Sequence, residues 1–420
     1  MREIKDFKER FGVDPKFKIS TPSRVNLIGE HSDFYEAFVL PMAISNVSMT
    51  AYVSPREDNI IRMFSESLKS DEKPYYELTT MSDRVKDQWV QYVQGAIAMY
   101  AEEFTRRALR GFDIVIESTI PIGSGLSSSS VLTMTSLAAL GLSNQFTNGA
   151  QEYPAQVAIE LIDEKGSSKE SHELLSKLCM MGCWSEYWYG TRGGAMDHFA
   201  TTASKKGHAI LLDNRSYDYK YVPIPDELSI IICNTMVRHN QLFNEFDARK
   251  KEAMRGFKKL EERYPELRNI RDVSEAQLES LRAEFEDKEY SRIKHVVNEK
   301  RRVMEFIDSL NEKNFARLGA IINEAFDSLR YDYEVSCEEL DIMQEAAVDS
   351  PGCYGARITG GGFGGCIVAF VTHDKKEDFI KSVKEKYDNN LMIKNLGLQS
   401  EVWEARSGDG MKIDEINIID

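Results

Sequence analysis

Three short segments of this chain concentrate residues able to do chemistry. Between Thr21 and Ala43, the stretch SRVNLIGEHSDF sets Arg24, Glu30, His31 and Asp33 among otherwise apolar positions. Polar groups in such a setting must be satisfied or used. Carboxylates accept hydrogen bonds and donate none, which suits the hydroxyls of a polyhydroxylated ligand. The plainer alternative is a salt-bridged strand end with a capping histidine. A metal at His31 and Asp33 ranks last, because no further His or Cys stands at ligand spacing. The second segment, PIGSGLSSSS from Pro121 to Ser130, is a Gly-rich turn opening a helix, where backbone N–H groups and the dipole favour phosphate. It lacks the Lys-Ser or Lys-Thr of a Walker A loop, and Ser128 occupies the third glycine position of a dinucleotide fingerprint. An anion site and an ordinary turn compete evenly here, and the serines tilt the balance toward phosphate and Mg²⁺. The third segment, Ala356 to Cys366, holds Gly360, Gly361, Gly362, Gly364 and Gly365 between two short strands. Its plain reading is a tight inter-strand turn.

The elements that must position these groups are legible in periodicity. Phe38–Val53 and Gly111–Ile120 read as strands, and the residues after Ser130 as a helix. Residues 156–189 read as largely helical until TRGGAMDHFA interrupts them, and strands are expected at Gly207–Leu212 and Leu228–Asn234. From Phe246 to about Leu329 the pattern is of long charged amphipathic helices, whose charge runs read as solvated faces. The last glycine run separates two strands, followed by a helix at Lys375–Tyr387 and a strand at EVWEARS. The composition shifts near residue 215, which divides the chain into 1–215 and 216–420.

The chain has 420 residues, 42% apolar and 29% charged, as an ordinary globular protein of two or three domains has. Its 53 Lys and Arg against 68 Asp and Glu give a net charge of −15, which argues against a nucleic-acid partner. The longest apolar runs, Leu137–Leu142 and Cys366–Val371, fall short of the roughly 20 residues a membrane span needs. MREIKDFKERFG has no apolar core or cleavage site, so a cytoplasmic protein is expected. Six cysteines are too sparse for a disulfide framework, and Cys179 and Cys183 read as buried thiols. No long heptad seam forces a coiled coil, so a monomer is expected.

In their order and spacing, the three segments resemble the GHMP small-molecule kinases, and within them the galactokinase family. SRVNLIGEHSDF followed by FVLPMAI looks like the sugar signature, PIGSGLSSSS like the phosphate loop and ARITGGGFGGC like the third motif. GGAMDHF, KGHAILLDNRS, VRHNQLFNEFDARKKEA, KHVVNEKRRV and LRYDYEVSCEELD extend the likeness over most of the chain. The resemblance implies a two-domain α/β (α+β) fold, with a ribosomal-protein-S5-like N-terminal domain, a ferredoxin-like C-terminal domain and the active site between them. It implies ATP-dependent phosphorylation of a sugar at its anomeric hydroxyl, with Mg²⁺ accompanying the nucleotide. Asp197 would be the base and Arg24 its neighbour; a guanidinium there keeps the carboxylate ionised and offsets phosphoryl charge. Glu30, His31 and Asp33 would meet sugar hydroxyls, with the Gly194 backbone close by. Pro121, Gly123, Ser124, Gly125, Leu126, Ser127, Ser128, Ser129 and Ser130 would wrap the phosphates, and Ser129 and Glu186 would reach Mg²⁺. The third-motif glycines would line the site.

Some residues depart from the family pattern. Phe34, Tyr35, Glu36 and Ala37 replace Tyr-Asn-Gly-Gly after Asp33, Phe246 stands for a tyrosine, and His198 follows Asp197 in place of a glutamine. The Glu186–Asp197 separation is one residue short of the family spacing. Bulk and a negative charge are therefore expected in the sugar-facing loop, with one hydrogen bond lost, and sites built on hydrogen bonds discriminate strongly. Galactose, N-acetylgalactosamine, arabinose or another hexose all fit a sugar 1-kinase, and Glu36 disfavours an anionic sugar. A non-catalytic sugar and ATP sensor is the competing class, weakened by the intact serine run, Arg24 and Asp197.

Overall fold

The computed structural model describes residues 2–68, 74–104, 109–121, 123–144, 169–190, 193–237 and 242–416. Strand segments rich in β-branched residues build three sheets. β1 (Phe17–Asn26), β2 (Phe38–Val39), β3 (Pro41–Pro55), β4 (Ile60–Phe64), β5 (Tyr75–Thr79) and β6 (Phe112–Ser118) come first. β7 (His208–Asp213), β8 (Tyr219–Pro223) and β9 (Leu228–Asn234) lie mid-chain, and β10 (Cys353–Thr359), β11 (Cys366–Thr372), β12 (Glu401–Glu404) and β13 (Lys412–Glu415) come late. The largest sheet runs β13-β1-β3-β6-β4-β5, a small one β2-β7-β8, and the third β10-β11-β9-β12.

On the first sheet, α1 (Arg2–Phe11) seats Phe7 and Phe11 against Phe64 and Val115. α2 (Gln88–Phe104), α3 (Ser128–Ser143) and α4 (Lys169–Tyr189) pack on one another, and α3 also meets β1 and β3. α3 is buried from Ser130 to Ser143, as a helix apolar on every side must be. α5 (Met196–Ala203) packs against α3, α4 and β1. In the second half, α6 (Leu242–Arg263) lies on α7 (Asp287–Asn311), and α7 on α8 (Phe315–Asp327). α8 and α9 (Glu338–Val348) cover β10, while α10 (Lys376–Asn389) covers β12.

The strands expected at 38–53, 111–120, 207–212 and 228–234 all form, with Leu40 dividing the first into β2 and β3. Helices and strands expected after residue 246 also form; of the helix expected over 156–189, residues 169–189 form α4 and 156–168 lie outside the described residues. β7 and β8 form a hairpin across residue 215, and β13 returns to pair with β1. One expectation needs correction: the charge on α7 is not all solvated. Arg292, His295, Glu299 and Arg302 are buried, with His295 and Glu299 against the first segment and Arg292 against Glu252 and Glu334.

Among the described residues no helix is long and apolar enough to cross a membrane. Cys179 and Cys183 are buried thiols, and burial pushes the Cys183 pKa up to about 12.

Candidate active site

The ladder of β1 and β3 breaks between Pro22 and Ser23, and the remaining strand carries Arg24 to the inner end of the sheet. Asp197 sits in the first turn of α5, where a carboxylate is favoured by the helix dipole. Arg24 grips it with both arms: Nε donates to Oδ1 at 2.7 Å and Nη2 to Oδ2 at 2.8 Å. The remaining Nη1 donates to the Gly125 carbonyl at 2.6 Å, tying the pair to the second segment. Ser127 Oγ donates to Asp197 Oδ2 at 2.5 Å. Burial pulls the Asp197 pKa upward, but the Arg24 charge and these hydrogen bonds outweigh it and hold the carboxyl below its ordinary range. Asp197 is therefore an anion at neutral pH, partly open to solvent beside a buried guanidinium.

Ser127 adopts a left-handed backbone (φ 63°) just before α3 and gives α3 no side-chain cap, its hydroxyl being spent on Asp197. The N–H groups at the start of α3 are thus available to an anion. The third-motif glycines close over the turn. A Cβ at Gly360 would lie 2.6 Å from the Gly125 carbonyl oxygen, and one at Gly365 would lie 2.8 Å from that of Ser124. Only glycine lets the two backbones approach so closely. Gly123, Gly125, Val237, Gly361, Gly362 and Gly364 line the cleft between them. Deeper along α3, Ser130 Oγ donates to Glu186 Oε1 at 2.6 Å.

The first segment forms the remaining wall. Glu30 is buried, with Oε1 accepting from Gly360 N (2.5 Å) and Oε2 from Asn26 Nδ2 (2.6 Å) and Arg357 Nη1 (3.0 Å). Burial raises its pKa despite Arg357 and Arg24. Asp33 is less enclosed and lies against the chain at Gly194, where a Cβ would come within 2.2 Å of its Oδ2. Burial and the neighbouring Asp197 charge push Asp33 up to about 6. His31 stacks on Tyr333 at 4.8 Å and lies 5.4 Å from Phe246, while Phe34 meets Phe246 edge-on at 5.0 Å. Burial, with the charges of His295 and Arg357, lowers His31 to about 3, so its ring is neutral, and Nε2 has no hydrogen-bond partner. α7 braces this loop from behind: Glu299 Oε1 accepts from Gly29 N at 2.9 Å, and His295 Nε2 lies 3.0 Å from the Glu30 carbonyl oxygen.

A galactokinase galactose-binding signature matches residues 5–55, a GHMP kinase N-terminal domain matches 91–172 and a GHMP kinase C-terminal domain matches 306–389. A galactokinase of Homo sapiens is 32% identical over 414 residues, covering 97% of this chain and 94% of that protein. One from Roseiflexus is 30% identical over 406 residues, covering 96% and 95%. The chain belongs to the galactokinase family. It is a sugar kinase, a phosphotransferase that uses ATP. The crystal structure of Lactococcus lactis galactokinase complexed with galactose superposes with a TM-score of 0.83 at 26% identity, covering 98% of each chain. A mevalonate kinase from Methanococcus jannaschii, at 18% identity and a TM-score of 0.58, shares the fold.

Within this galactokinase fold, residues as far apart as Arg24, Gly125 and Asp197 meet at bonding distance. Ser127, expected at the phosphates, has its hydroxyl on Asp197. Glu30 already accepts three hydrogen bonds, so only its remaining lone pairs are open to a ligand. The charge expected from Glu36 in the sugar-facing loop is directed elsewhere: Glu36 Oε2 accepts from Arg215 Nε at 2.6 Å, and Arg215 also pairs with Asp272. Tyr35 is buried beside Tyr333, which leaves Phe34 as the bulky residue of that loop near Phe246. Arg357, Glu299 and His295 were not singled out in the sequence. Arg357 lies in the third motif, and its place among apolar strand residues was the available signal.

Proposed function

We propose that this chain transfers the γ-phosphoryl group of MgATP to the anomeric C1 hydroxyl of galactose, giving galactose 1-phosphate and ADP. The observation that carries the reading is an ionised acceptor, Asp197, beside the uncapped start of α3. A base for the hydroxyl proton and a cradle for phosphate share one cleft. The galactose named for the Lactococcus lactis enzyme supports the choice of sugar.

Asp197 accepts a hydrogen bond from the C1 hydroxyl and takes its proton as the oxygen bonds to phosphorus and the bond to ADP breaks. Phosphoryl transfer needs little covalent assistance, so an aligned weak base suffices. Arg24 holds Asp197 in register and offsets the charge of the transferring group. Asp33, with the Gly194 backbone, accepts from sugar hydroxyls, and His31 and Glu30 complete that wall. Pro121 to Ser130 would wrap the phosphates, with the backbone N–H groups from Gly123 onward as donors.

Ser129 and Glu186 would hold the Mg²⁺ that accompanies the nucleotide. The donor set fits: a carboxylate beside the hydroxyls of the serine run suits an ion that keeps its waters and phosphate ligands. When bound, the ion supplies charge neutralisation on the phosphates. The enzyme would act as a monomer in the cytoplasm.

The test is ATP-consumption turnover with Mg²⁺ on neutral, N-acetylated, pentose and uronic sugars, with the phosphorylated carbon identified by NMR. Galactose is expected to dominate, at C1. Asp197→Asn is expected to lower kcat by roughly 10²–10⁴-fold with ATP affinity little changed. Full activity in that variant would overturn the assigned base, and turnover on another sugar alone would overturn galactose.

A further inference from the structure

His198 follows Asp197 in α5 and is almost wholly enclosed. Its ring occupies space that a side chain at position 182 of α4 would need. A Cβ there would fall 2.6 Å from His198 Cδ2 and 2.4 Å from Met134 Sδ. The ring is thus wedged in one orientation. Neither ring nitrogen makes a hydrogen bond, and Nε2 lies 3.3 Å from Glu186 Oε1, close to it but not aligned for one. Ser130 Oγ donates to that same Oε1 at 2.6 Å. Two groups from different helices therefore converge on one oxygen of a buried carboxylate.

A carboxylate held by one oxygen presents the other in a fixed direction. Such outer partners set the orientation of metal ligands, and losing one typically costs about 10–100-fold in metal affinity. We propose that His198 is a positioning residue: with Ser130 it anchors Glu186 Oε1, so that Oε2 is aimed at the Mg²⁺ of the bound nucleotide. The inference rests on the reading of Glu186 as a metal ligand.

The experiment measures, by calorimetry on the whole protein, the affinity for the β,γ-imido analogue of ATP in EDTA and in Mg²⁺. The ratio of the two affinities reports the metal's contribution without turnover. His198→Met, similar in length but without an N–H, is expected to lose about 10-fold of that ratio with the affinity in EDTA unchanged. His198→Gln, which restores a donor, is expected to recover most of it. Glu186→Gln should lose at least as much as His198→Met, and adding His198→Met to it should lose nothing further, as for groups acting in series. Glu186→Gln falling while His198→Met keeps the full ratio would overturn the positioning role. A full ratio in Glu186→Gln would overturn the ligand reading, and the inference with it. Should His198→Met not fold, His198→Leu carries the same expectation.

Discussion

Asp33→Asn should make the protein more stable while making it a worse enzyme. Folding moves the Asp33 carboxyl from an ordinary 3.8 to about 6, through burial first and the nearby Asp197 charge second. The folded state therefore holds this proton more tightly than the unfolded chain does. Stability that is present below about pH 4 is lost as pH rises through about 6. A shift of about two pH units corresponds to roughly 3 kcal/mol at neutral pH, with 1.36 kcal/mol per unit. Asparagine cannot ionise, so the variant escapes this loss. Its advantage should reach about half its final size by pH 5 and level off above pH 7. The assay is the urea midpoint of each protein at pH 5, 6 and 8, beside the KM for galactose. In the variant, losing a charged acceptor should cost about 1.5–3 kcal/mol of sugar binding, or about 10–100-fold in KM. In the parent protein, KM should rise as pH falls through about 6. A stability difference of equal size at pH 5 and pH 8, or a variant less stable than its parent at pH 8, would refute the reasoning.

Two further substitutions test the sugar wall. Phe246→Tyr adds a hydroxyl beside His31 and Phe34, and should raise kcat/KM for galactose by about 3–10-fold, the worth of one hydrogen bond; steady-state kinetics would read it, and no change would locate the specificity in the Phe34–Ala37 loop. Gly194→Ala sets a methyl against Asp33 Oδ2 and should raise KM for the sugar by more than about 10-fold, since a displacement of about 1 Å at a reacting site is costly; an unchanged KM would show that the carboxylate need not touch this backbone.

Much of the scaffold could be read from local pattern, because each strand and helix buries its own apolar face. The long-range outcomes could not. Nothing near Glu36 announces that Arg215 will neutralise it, and the acidic loop reads as a pocket charge until the β7–β8 hairpin sets the arginine beside it. The buried ionic face of α7 is hidden in the same way: Arg292, Glu299 and Arg302 match any solvated helix until Gly29 and Arg357 face Glu299, and Glu252 and Glu334 face Arg292. Strands β4, β5, β8 and β13 are short, and their alternation is too brief to stand out. Within the site, the residue types were legible but their division of labour was not. Ser127 and Ser130 are the two ends of one serine run, yet the left-handed turn at Ser127 directs one hydroxyl to Asp197 and the following helix directs the other to Glu186.

The return of the chain to its first sheet has a consequence for biosynthesis. β1 is flanked by β3 on one side and by β13 on the other, and residues 406–411 are sewn onto β3 and the end of α5 before β13 begins. While the ribosome is still making the second half, the first sheet carries an open edge along Phe17–Ser20, the kind of edge that recruits foreign strands. That edge closes only when residue 415 has emerged. Nascent chains stalled earlier should bind chaperones longer than those stalled just beyond it.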